Sequence, residues 1–167
     1  FYARSDSVEK DYFVKKVLLE DVVHTAIMNY MDSLMQKKIS LDVYNLENYV
    51  YIDEKWITFI ICQVLQNSIK YLNKPEKVIK IHSENNKNNV VLVIEDNGEG
   101  ILDHDLPRVF EYGFTGTDRQ KQYSTGIGLY LCKKLCNKMN LDIKIESQYK
   151  KFTKVKIIFP KTNLYRQ

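Results

Sequence analysis

The stretch from Glu95 to Leu131 reads EDNGEGILDHDLPRVFEYGFTGTDRQKQYSTGIGLYL and contains all six glycines of the 167-residue chain. Two glycines directly follow the apolar run Val90 to Ile94, and two more stand at the head of an apolar helical pattern that begins at Gly128. Glycine is used where the backbone takes a positive φ or where another group must approach closely. A chain that places all its glycine in two turns and the loop between them is expected to close that loop over a ligand. The arrangement suggests a phosphate or nucleotide site.

Composition and charge indicate an ordinary globular domain. With 44% hydrophobic and 28% charged residues, the chain can bury a substantial core and does not resemble a disordered protein. The net charge of +4 comes from interspersed basic and acidic residues, so we expect no nucleic-acid partner. No apolar run approaches the roughly 18 residues needed to cross a bilayer. Because the chain starts at Phe1 without a methionine, we expect it to be a fragment or a processed piece.

Three cysteines, Cys62, Cys132 and Cys136, lie within apolar helical patterns. An odd number of cysteines in such positions predicts reduced, buried thiols, which fits a cytosolic compartment. Cys132 and Cys136 are one helical turn apart and could in principle bind a metal. The chain has no second Cys/His pair at a matching spacing, so we disfavour a metal site there.

The first third of the chain predicts a strand and an amphipathic helix. Residues 1–16 are polar and are predicted to be a linker or the end of an upstream dimerisation helix, and residues 17–19 form a short strand. From Glu20 to about Lys37, apolar residues recur at three- and four-residue spacing, which predicts a helix. Its apolar face comprises Val22, Val23, Ala26, Ile27, Tyr30, Met31, Leu34 and Met35.

Two strands and a long helix are predicted next. The strands cover 39–43 and 50–52, and Asp53 is placed to cap a helix that ends near Asn73, before Pro75. The core-facing residues of this helix are Ile57, Ile61, Leu65, Ile69 and Leu72. The opposite face carries Gln63, Asn67, Lys70 and Lys74, which periodicity alone explains as exposed to water.

The remainder of the chain completes an α/β two-layer sandwich. Its predicted elements are strands 78–82 and 89–95, helix 128–139, and strands 141–145 and 153–159. We predict one domain over 17–160, followed by a tail at 161–167. In this domain a mixed sheet of about five strands carries three helices on one face.

The loop over 97–125 is longer than most structureless connections, and such loops are commonly lids. Phe110 and Phe114 are apolar residues that could pin it to the body of the domain in one state, or could simply pack it permanently.

Polar residues at both glycine turns suit a nucleotide. Asp96 ends the buried strand, where it could accept a hydrogen bond from the exocyclic amine of adenine or could only cap its own turn, and the pattern leaves both interpretations open. Gly126 and Gly128 precede a helix whose first amides suit phosphate, although this pattern is weak on its own.

The polar face of the long helix offers groups for a magnesium nucleotide. Asn67 can ligate Mg²⁺ through its amide oxygen, because Mg²⁺ usually binds few protein ligands together with phosphates and water. Lys70, one turn on, could then meet the phosphates, and Tyr71 could line the base or ribose.

Four motifs occur in a fixed order: Gln63-x-x-x-Asn67-x-x-Lys70-Tyr71, Asp96-x-Gly98-x-Gly100-Ile101, Phe110-x-x-x-Phe114 and Gly126-x-Gly128-Leu129. Together they resemble the N, G1, F and G2 boxes of the catalytic, ATP-binding domain of sensor histidine kinases, which belong to the Bergerat-fold superfamily with gyrase, Hsp90 and MutL. Each motif alone is weak, but four in order at family spacing are specific. The segments 113–116 and 124–131 are further similar to kinases that sense bacitracin and other antimicrobial peptides in Gram-positive bacteria.

The resemblance implies ATP and Mg²⁺ as cofactors and assigns residues to them. Asn67 is implied as the magnesium ligand, and Asn67 and Lys70 as the catalytic residues. The implied nucleotide-binding set is Asn67, Lys70, Tyr71, Asp96, Gly98, Gly100, Ile101, Thr125, Gly126, Ile127, Gly128, Leu129 and Thr153. Thr153 matches the threonine of a final box that often reads Gly-Thr, but Phe152 stands here in place of that glycine.

Two absences shape the expected mechanism. Gyrase-like ATPases carry a glutamate four residues before the magnesium asparagine as general base for water, and this chain has Gln63 there, so efficient hydrolysis is not expected. None of His24, His82 and His104 stands in the context of a phosphoacceptor histidine. We therefore expect the γ-phosphate to pass to a histidine on a dimerisation domain outside this chain, and from there to an aspartate of a response regulator.

The resemblance implies a homodimeric, membrane-anchored parent protein with this domain in the cytoplasm. The lid over 102–123 would close on Mg-ATP. Two alternatives stay open, namely a serine kinase or ATPase of the same superfamily and a non-catalytic nucleotide-binding or docking module.

Overall fold

The structure, a computed structural model, describes residues 12–116 and 126–161. Within these residues the elements are β1 (Lys15–Leu18), α1 (Leu19–Asn29), α2 (Met31–Gln36), β2 (Ser40–Tyr44), β3 (Tyr49–Ile52), α3 (Glu54–Lys70), β4 (Val78–Asn85), β5 (Asn89–Asp96), a 3₁₀ turn (Leu106–Arg108), α4 (Gly128–Lys138), β6 (Asp142–Gln148) and β7 (Phe152–Pro160). Strand β1 includes Lys15 and Lys16, which lie in the segment that the sequence analysis treated as a linker.

Five strands form one mixed sheet in the spatial order β2-β4-β5-β7-β6. Strands β2 and β4 run parallel, and the other neighbours are antiparallel. Strand β5 lies in the middle, as its continuous apolar run predicts, and even Val91 and Val93 on its second face are buried. The five-stranded mixed sheet with helices on one face confirms the predicted α/β sandwich.

Strands β1 and β3 form a separate two-stranded antiparallel sheet. Val17 lies opposite Val50, and both side chains are buried. The sequence analysis predicts both strands but not that they pair with each other apart from the main sheet. Pairing depends on which distant strands the fold brings together, and the local pattern of a strand does not contain that information.

The prediction of one continuous helix from Glu20 to about Lys37 is wrong. The segment forms two helices, α1 and α2, because Tyr30 takes φ −117° and ψ 14°, outside the helical region. The break changes which side chains face the core. Leu34 is buried as predicted, whereas Met35 is 69% exposed. The described residues therefore contain four α-helices instead of the three predicted.

Helix α3 begins where the sequence predicts, because Asp53 Oδ1 accepts a hydrogen bond from the Trp56 backbone N–H at 3.1 Å. Its predicted core stripe is buried, namely Ile57, Ile61, Leu65, Ile69 and Leu72. The helix ends at Lys70, earlier than predicted, because Tyr71 leaves the helical region at φ −101° and ψ 14°. No helix in the described ranges is long and apolar enough to cross a membrane.

The cysteines of α4 are buried free thiols, as predicted, whereas Cys62 is only half-buried. Burial raises the pKa of the Cys136 thiol to about 12 and that of Cys132 well above its ordinary value. Metal binding requires the thiolate, so burial opposes the metal site that the sequence analysis already disfavoured. Across the described part of the chain, no group of three or more His, Cys, Asp or Glu side chains is placed to hold a metal ion.

Candidate nucleotide-binding site

A pocket opens between α3, the end of β5, the start of α4 and the strands β6 and β7. Both glycine turns reach it, although they are far apart in the sequence. The predicted residues that line it are Asn67, Tyr71, Asp96, Gly100, Ile101, Gly126, Gly128, Leu129 and Thr153. The fold therefore brings residues from all four motifs and the final Thr153 to one place.

Four predicted residues do not line the pocket wall. Lys70 is exposed, with its ammonium nitrogen 5.6 Å from the centroid of the Tyr71 ring. Gly98 is buried behind Asp96, and Ile127 is the residue that immediately precedes α4. Thr125 lies outside the described residues, as does the part of the predicted lid from 117 to 123.

Asp96 lies at the floor of the pocket and is 5% exposed. Burial raises the pKa of its carboxyl from 3.8 to about 6, and the neighbouring charge of Glu95 adds to this effect. Hydrogen bonds from the Gly98 backbone N–H, at 2.9 Å, and from the Ser68 hydroxyl partly oppose the increase. The carboxylate caps its own turn and also lines the pocket, while its contact with an adenine amine stays a prediction.

The first glycine turn, residues 97–101, is wedged between α3 and the β6-β7 hairpin. Gly100 has φ +72°, and a Cβ added there would lie within 3.0 Å of the backbone of Gln148 and Tyr149. On the other side, the Glu99 backbone N–H donates to the Tyr71 carbonyl at 3.1 Å. Only glycine fits such a position without displacing the hairpin.

Asn97 ties the same turn to the start of β4. Its Oδ1 accepts from the Val78 backbone N–H at 2.9 Å, and its Nδ2 donates to the Glu76 carbonyl at 2.7 Å. The turn that carries Asp96 into the pocket is thus anchored to α3, β4 and the β6-β7 hairpin.

The second glycine turn packs against the long loop itself. Gly126 has φ +67°, and a Cβ added there would lie 2.7 Å from the Phe114 backbone nitrogen. The Gly113 backbone N–H donates to the Gly126 carbonyl at 3.1 Å, so the two ends of the segment 113–126 are joined.

The two phenylalanines of the loop have different environments. Phe110 packs against the hydrophobic core, and the Lys133 ammonium lies 5.5 Å from its ring centroid. Phe114 lines the pocket, with the Arg108 guanidinium 4.4 Å from its ring centroid. Phe110 therefore anchors the loop, while Phe114 belongs to the pocket wall.

The first turn of α4 is suited to an anion. It carries no acidic residue and no side-chain cap, so no fixed negative charge opposes a phosphate at its amides. Gln63 lies against this turn, since a Cβ added at Gly128 would meet Gln63 Oε1 at 2.6 Å. The residue at the general-base position is an amide in direct reach of the second glycine turn.

Sequence reasoning missed several residues of the pocket. Val64 and Ser68 share the face of α3 that carries Tyr71, and their spacing of three and four residues is a signal that could have identified them. Ile145 and Val155 line the pocket from β6 and β7, and only the register of these strands places them there.

Comparison with known proteins assigns the chain to a family. Residues 52–163 match the family described as histidine kinase-, DNA gyrase B- and HSP90-like ATPases. The chain is 37% identical over 157 residues to the sensor protein BceS of Halalkalibacterium halodurans, covering 93% of this chain and 46% of that protein. It is 36% identical over 165 residues to the sensor protein kinase GraS of Staphylococcus aureus, covering 98% of this chain and 47% of that protein.

The chain thus spans about half the length of each of these relatives. The catalytic domain of the histidine kinase ThkA has the same fold, with a TM-score of 0.75 at 20% identity over 90% of this chain and 97% of that domain. The matches confirm the resemblance to sensor histidine kinases that the four motifs indicate. Because the family match covers most of the chain and includes all four motifs, the chain belongs to the histidine kinase-, DNA gyrase B- and HSP90-like ATPases.

Proposed function

We propose that this chain is the ATP-binding catalytic domain of a sensor histidine kinase, which transfers the γ-phosphate of ATP to a histidine on a dimerisation domain of the same protein. The observation that carries the proposal is the buried carboxylate of Asp96 in a pocket that the second glycine turn also lines. A buried carboxylate is costly unless it has a function or a partner. Gly98 and Ser68 already donate to this carboxylate, and an exocyclic amine of a nucleobase in the pocket would be a further donor.

The part of the site around Asp96 selects adenine as the base. The ionised Asp96 carboxylate accepts hydrogen bonds and cannot donate them, so it favours the adenine amine over the guanine carbonyl. Tyr71, Ile101 and Val155 supply apolar contact surface around the base. Because the turn that holds Asp96 is anchored before the ligand arrives, little ordering is needed on binding.

The phosphate end binds the triphosphate and its metal. Asn67 would hold Mg²⁺ through its amide oxygen, with the remaining ligands supplied by phosphates and water. When bound, Mg²⁺ supplies neutralisation of the phosphate charge. The amides at the start of α4 would meet the phosphates, and the exposed Lys70 is free to swing toward them. Catalysis would then rest on positioning and charge neutralisation.

The acceptor of the phosphoryl group is a histidine outside this chain, and the next acceptor is an aspartate of a response regulator. Gln63 favours phosphoryl transfer to a histidine over hydrolysis of ATP. Its amide lies beside Gly128 and cannot take a proton from water. We further propose a homodimeric parent protein anchored in the cell membrane, with this domain in the cytoplasm. The stimulus class, bacitracin and related antimicrobial peptides, stays a prediction from the motif resemblance.

Calorimetric titration of the chain with ATP and GTP, with and without Mg²⁺, tests the proposal. We expect ATP to bind in preference to GTP, and Asp96→Asn to lower ATP affinity by about 100-fold, because a buried charge-assisted hydrogen bond is lost. Asp142→Asn is the matched control, since this half-exposed aspartate lies on β6 outside the pocket lining. If neither nucleotide binds at millimolar concentration, the proposal fails and a docking module becomes the better interpretation.

A further inference from the structure

The Ser147 hydroxyl, on β6, has three hydrogen-bonding neighbours at the edge of the pocket. It donates to the Phe152 carbonyl at 2.7 Å and accepts from the Ile101 backbone N–H at 2.8 Å. The third neighbour is Thr153 Oγ1 at 3.2 Å. Ser147 therefore joins the first glycine turn to β7.

The number of hydrogens on the Ser147 hydroxyl fixes the direction of its hydrogen bond with Thr153. A serine hydroxyl has one hydrogen and two lone pairs. That hydrogen points to the Phe152 carbonyl, which can only accept. The bond between the two hydroxyls must then be donated by Thr153, so Thr153 Oγ1 has no hydrogen left for another partner and keeps its lone pairs.

Thr153 lies on β7 directly opposite Asp96 on β5, and both residues line the pocket. The ionised Asp96 carboxylate is also an acceptor only. Two neighbouring positions on the pocket floor thus offer acceptors and no side-chain donor. Such a floor suits a ligand group that carries more than one N–H. The group can donate to these acceptors directly, or through a bridging water that itself donates to them.

We propose that Ser147 is a positioning residue that sets Thr153 as a hydrogen-bond acceptor and thereby contributes to the selection of an amine-bearing nucleobase. The inference rests on the proposed function and deepens it. Thr153 acts on the ligand, while Ser147 acts only through Thr153 and through the Ile101 backbone. Without the Ser147 hydroxyl, Thr153 can rotate and donate, and a carbonyl in place of the amine is then tolerated better.

The test compares ATP with inosine triphosphate, which carries a carbonyl where adenine carries its amine. Affinities of the chain for both nucleotides are measured for the wild type, Ser147→Ala, Thr153→Val and the double variant. We expect Ser147→Ala to weaken ATP about fivefold, the effect of one neutral hydrogen bond. Inosine triphosphate should change less than about twofold, so the preference for ATP falls.

The double variant separates positioning from simple support of the fold. In the Thr153→Val background no hydroxyl remains to be oriented, so Ser147→Ala should leave the preference for ATP unchanged. Ser83→Ala is the matched control, because Ser83 is a buried serine of the same sheet, bonded to Asn45 and Asn48, outside the pocket lining. It should lower the melting temperature but leave both nucleotide affinities unchanged.

Two results overturn the proposal and reduce Ser147 to a structural role: an equal loss of affinity for both nucleotides when Ser147→Ala is made in the wild type, or a changed preference for ATP when it is made in the Thr153→Val background. The proposed function stands in that case, since the wild type still prefers ATP. If the wild type binds neither nucleotide, or does not prefer ATP, the proposed function fails and this proposal fails with it.

Discussion

The two glycine turns of the site use the same residue type for different purposes. The first turn is held on three sides, by the Tyr71 carbonyl, by β4 through Asn97 and by the β6-β7 hairpin behind Gly100. The second turn contacts mainly the backbone of Gly113 and Phe114, which belong to the loop that it closes, and the side chain of Gln63. The pocket wall at the first turn is therefore built into the domain, whereas the wall at the second turn is built from the loop itself.

This difference agrees with the proposal that Asp96, at the first turn, selects the base. A residue that discriminates between bases must hold its position before the ligand binds, and Asp96 is fixed by Gly98, Ser68 and the strand that carries it. A turn that contacts phosphates can tolerate adjustment, because backbone amides and a helix terminus attract an anion over a broader range of positions.

Gly100→Ala provides the strongest way to break this comparison. An added Cβ meets the hairpin backbone of Gln148 and Tyr149 within 3.0 Å, and a positive φ adds strain for alanine. We expect the free energy of unfolding to fall by about 4 kcal/mol, measured by urea denaturation. A loss below about 1 kcal/mol would mean that the first turn is not wedged as described.

Asp96→Asn separates function from stability at the same turn. The carboxyl pKa is about 6 in the folded chain, raised from 3.8. The ionised carboxylate therefore lowers the free energy of unfolding at pH 7, and this destabilisation disappears as the pH falls below 4. We expect the variant to be more stable than the wild type by about 2 kcal/mol at pH 7, although it loses ATP. Urea denaturation at pH 7 and pH 4 measures both differences, and the gain should vanish at pH 4. If the variant is less stable than the wild type at pH 7, the ionised Asp96 carboxylate does not destabilise the fold.

Gly126→Ala sharpens the comparison from the other side. The added Cβ would lie 2.5 Å from the Gly113 carbonyl carbon and 2.7 Å from the Phe114 backbone nitrogen, and we expect this loop backbone to shift because it belongs to neither sheet. We expect a loss of only about 1.5 kcal/mol of stability, mostly from the positive φ, together with an approximately tenfold weaker affinity for ATP. Urea denaturation and calorimetry on one preparation check both values. Equal destabilisation by Gly126→Ala and Gly100→Ala would remove the distinction between the two turns.

The pH dependence of ATP binding gives the smallest expected effect. Protonation of Asp96, with a pKa of about 6, removes the charge that we propose accepts the adenine amine. The affinity for ATP should therefore fall about tenfold between pH 7 and pH 5. The Asp96→Asn variant controls for titration of the nucleotide phosphates, and it should show a smaller change. An affinity that falls equally in both proteins would mean that Asp96 does not titrate in this range.

The long and strongly periodic elements of the fold could be predicted from the sequence. The cap at Asp53, the buried stripe of α3 and the central position of β5 follow from local patterns, and the structure has them in these places. The break at Tyr30 could not be predicted, because its apolar neighbours continue a helical pattern across it. The exposure of Met35 follows from that break and not from any property of methionine.

The residues of the candidate site also divide into those that a local sequence pattern identifies and those that it does not. Asp96, Asn67 and the glycines were recognisable because each residue type has a specific chemical capability in a motif of fixed spacing. Ser68 was recognisable in principle, since it lies three residues before Tyr71 on the same face of α3. Ser147 was not, because a serine in an ordinary polar strand position has no local signal that indicates a neighbour such as Thr153.

By itself, the sequence determined the order of most elements, the family and the residues proposed to bind a nucleotide, since these depend on local periodicity and on motifs of short range. Only the tertiary structure decided that the first turn is anchored and the second packs on its own loop, and that the Ser147 and Thr153 hydroxyls lie 3.2 Å apart. The physical reason is that these features depend on strand register and on contacts between segments distant in the chain. Such contacts arise from the packing of the whole domain, and no stretch of sequence contains them.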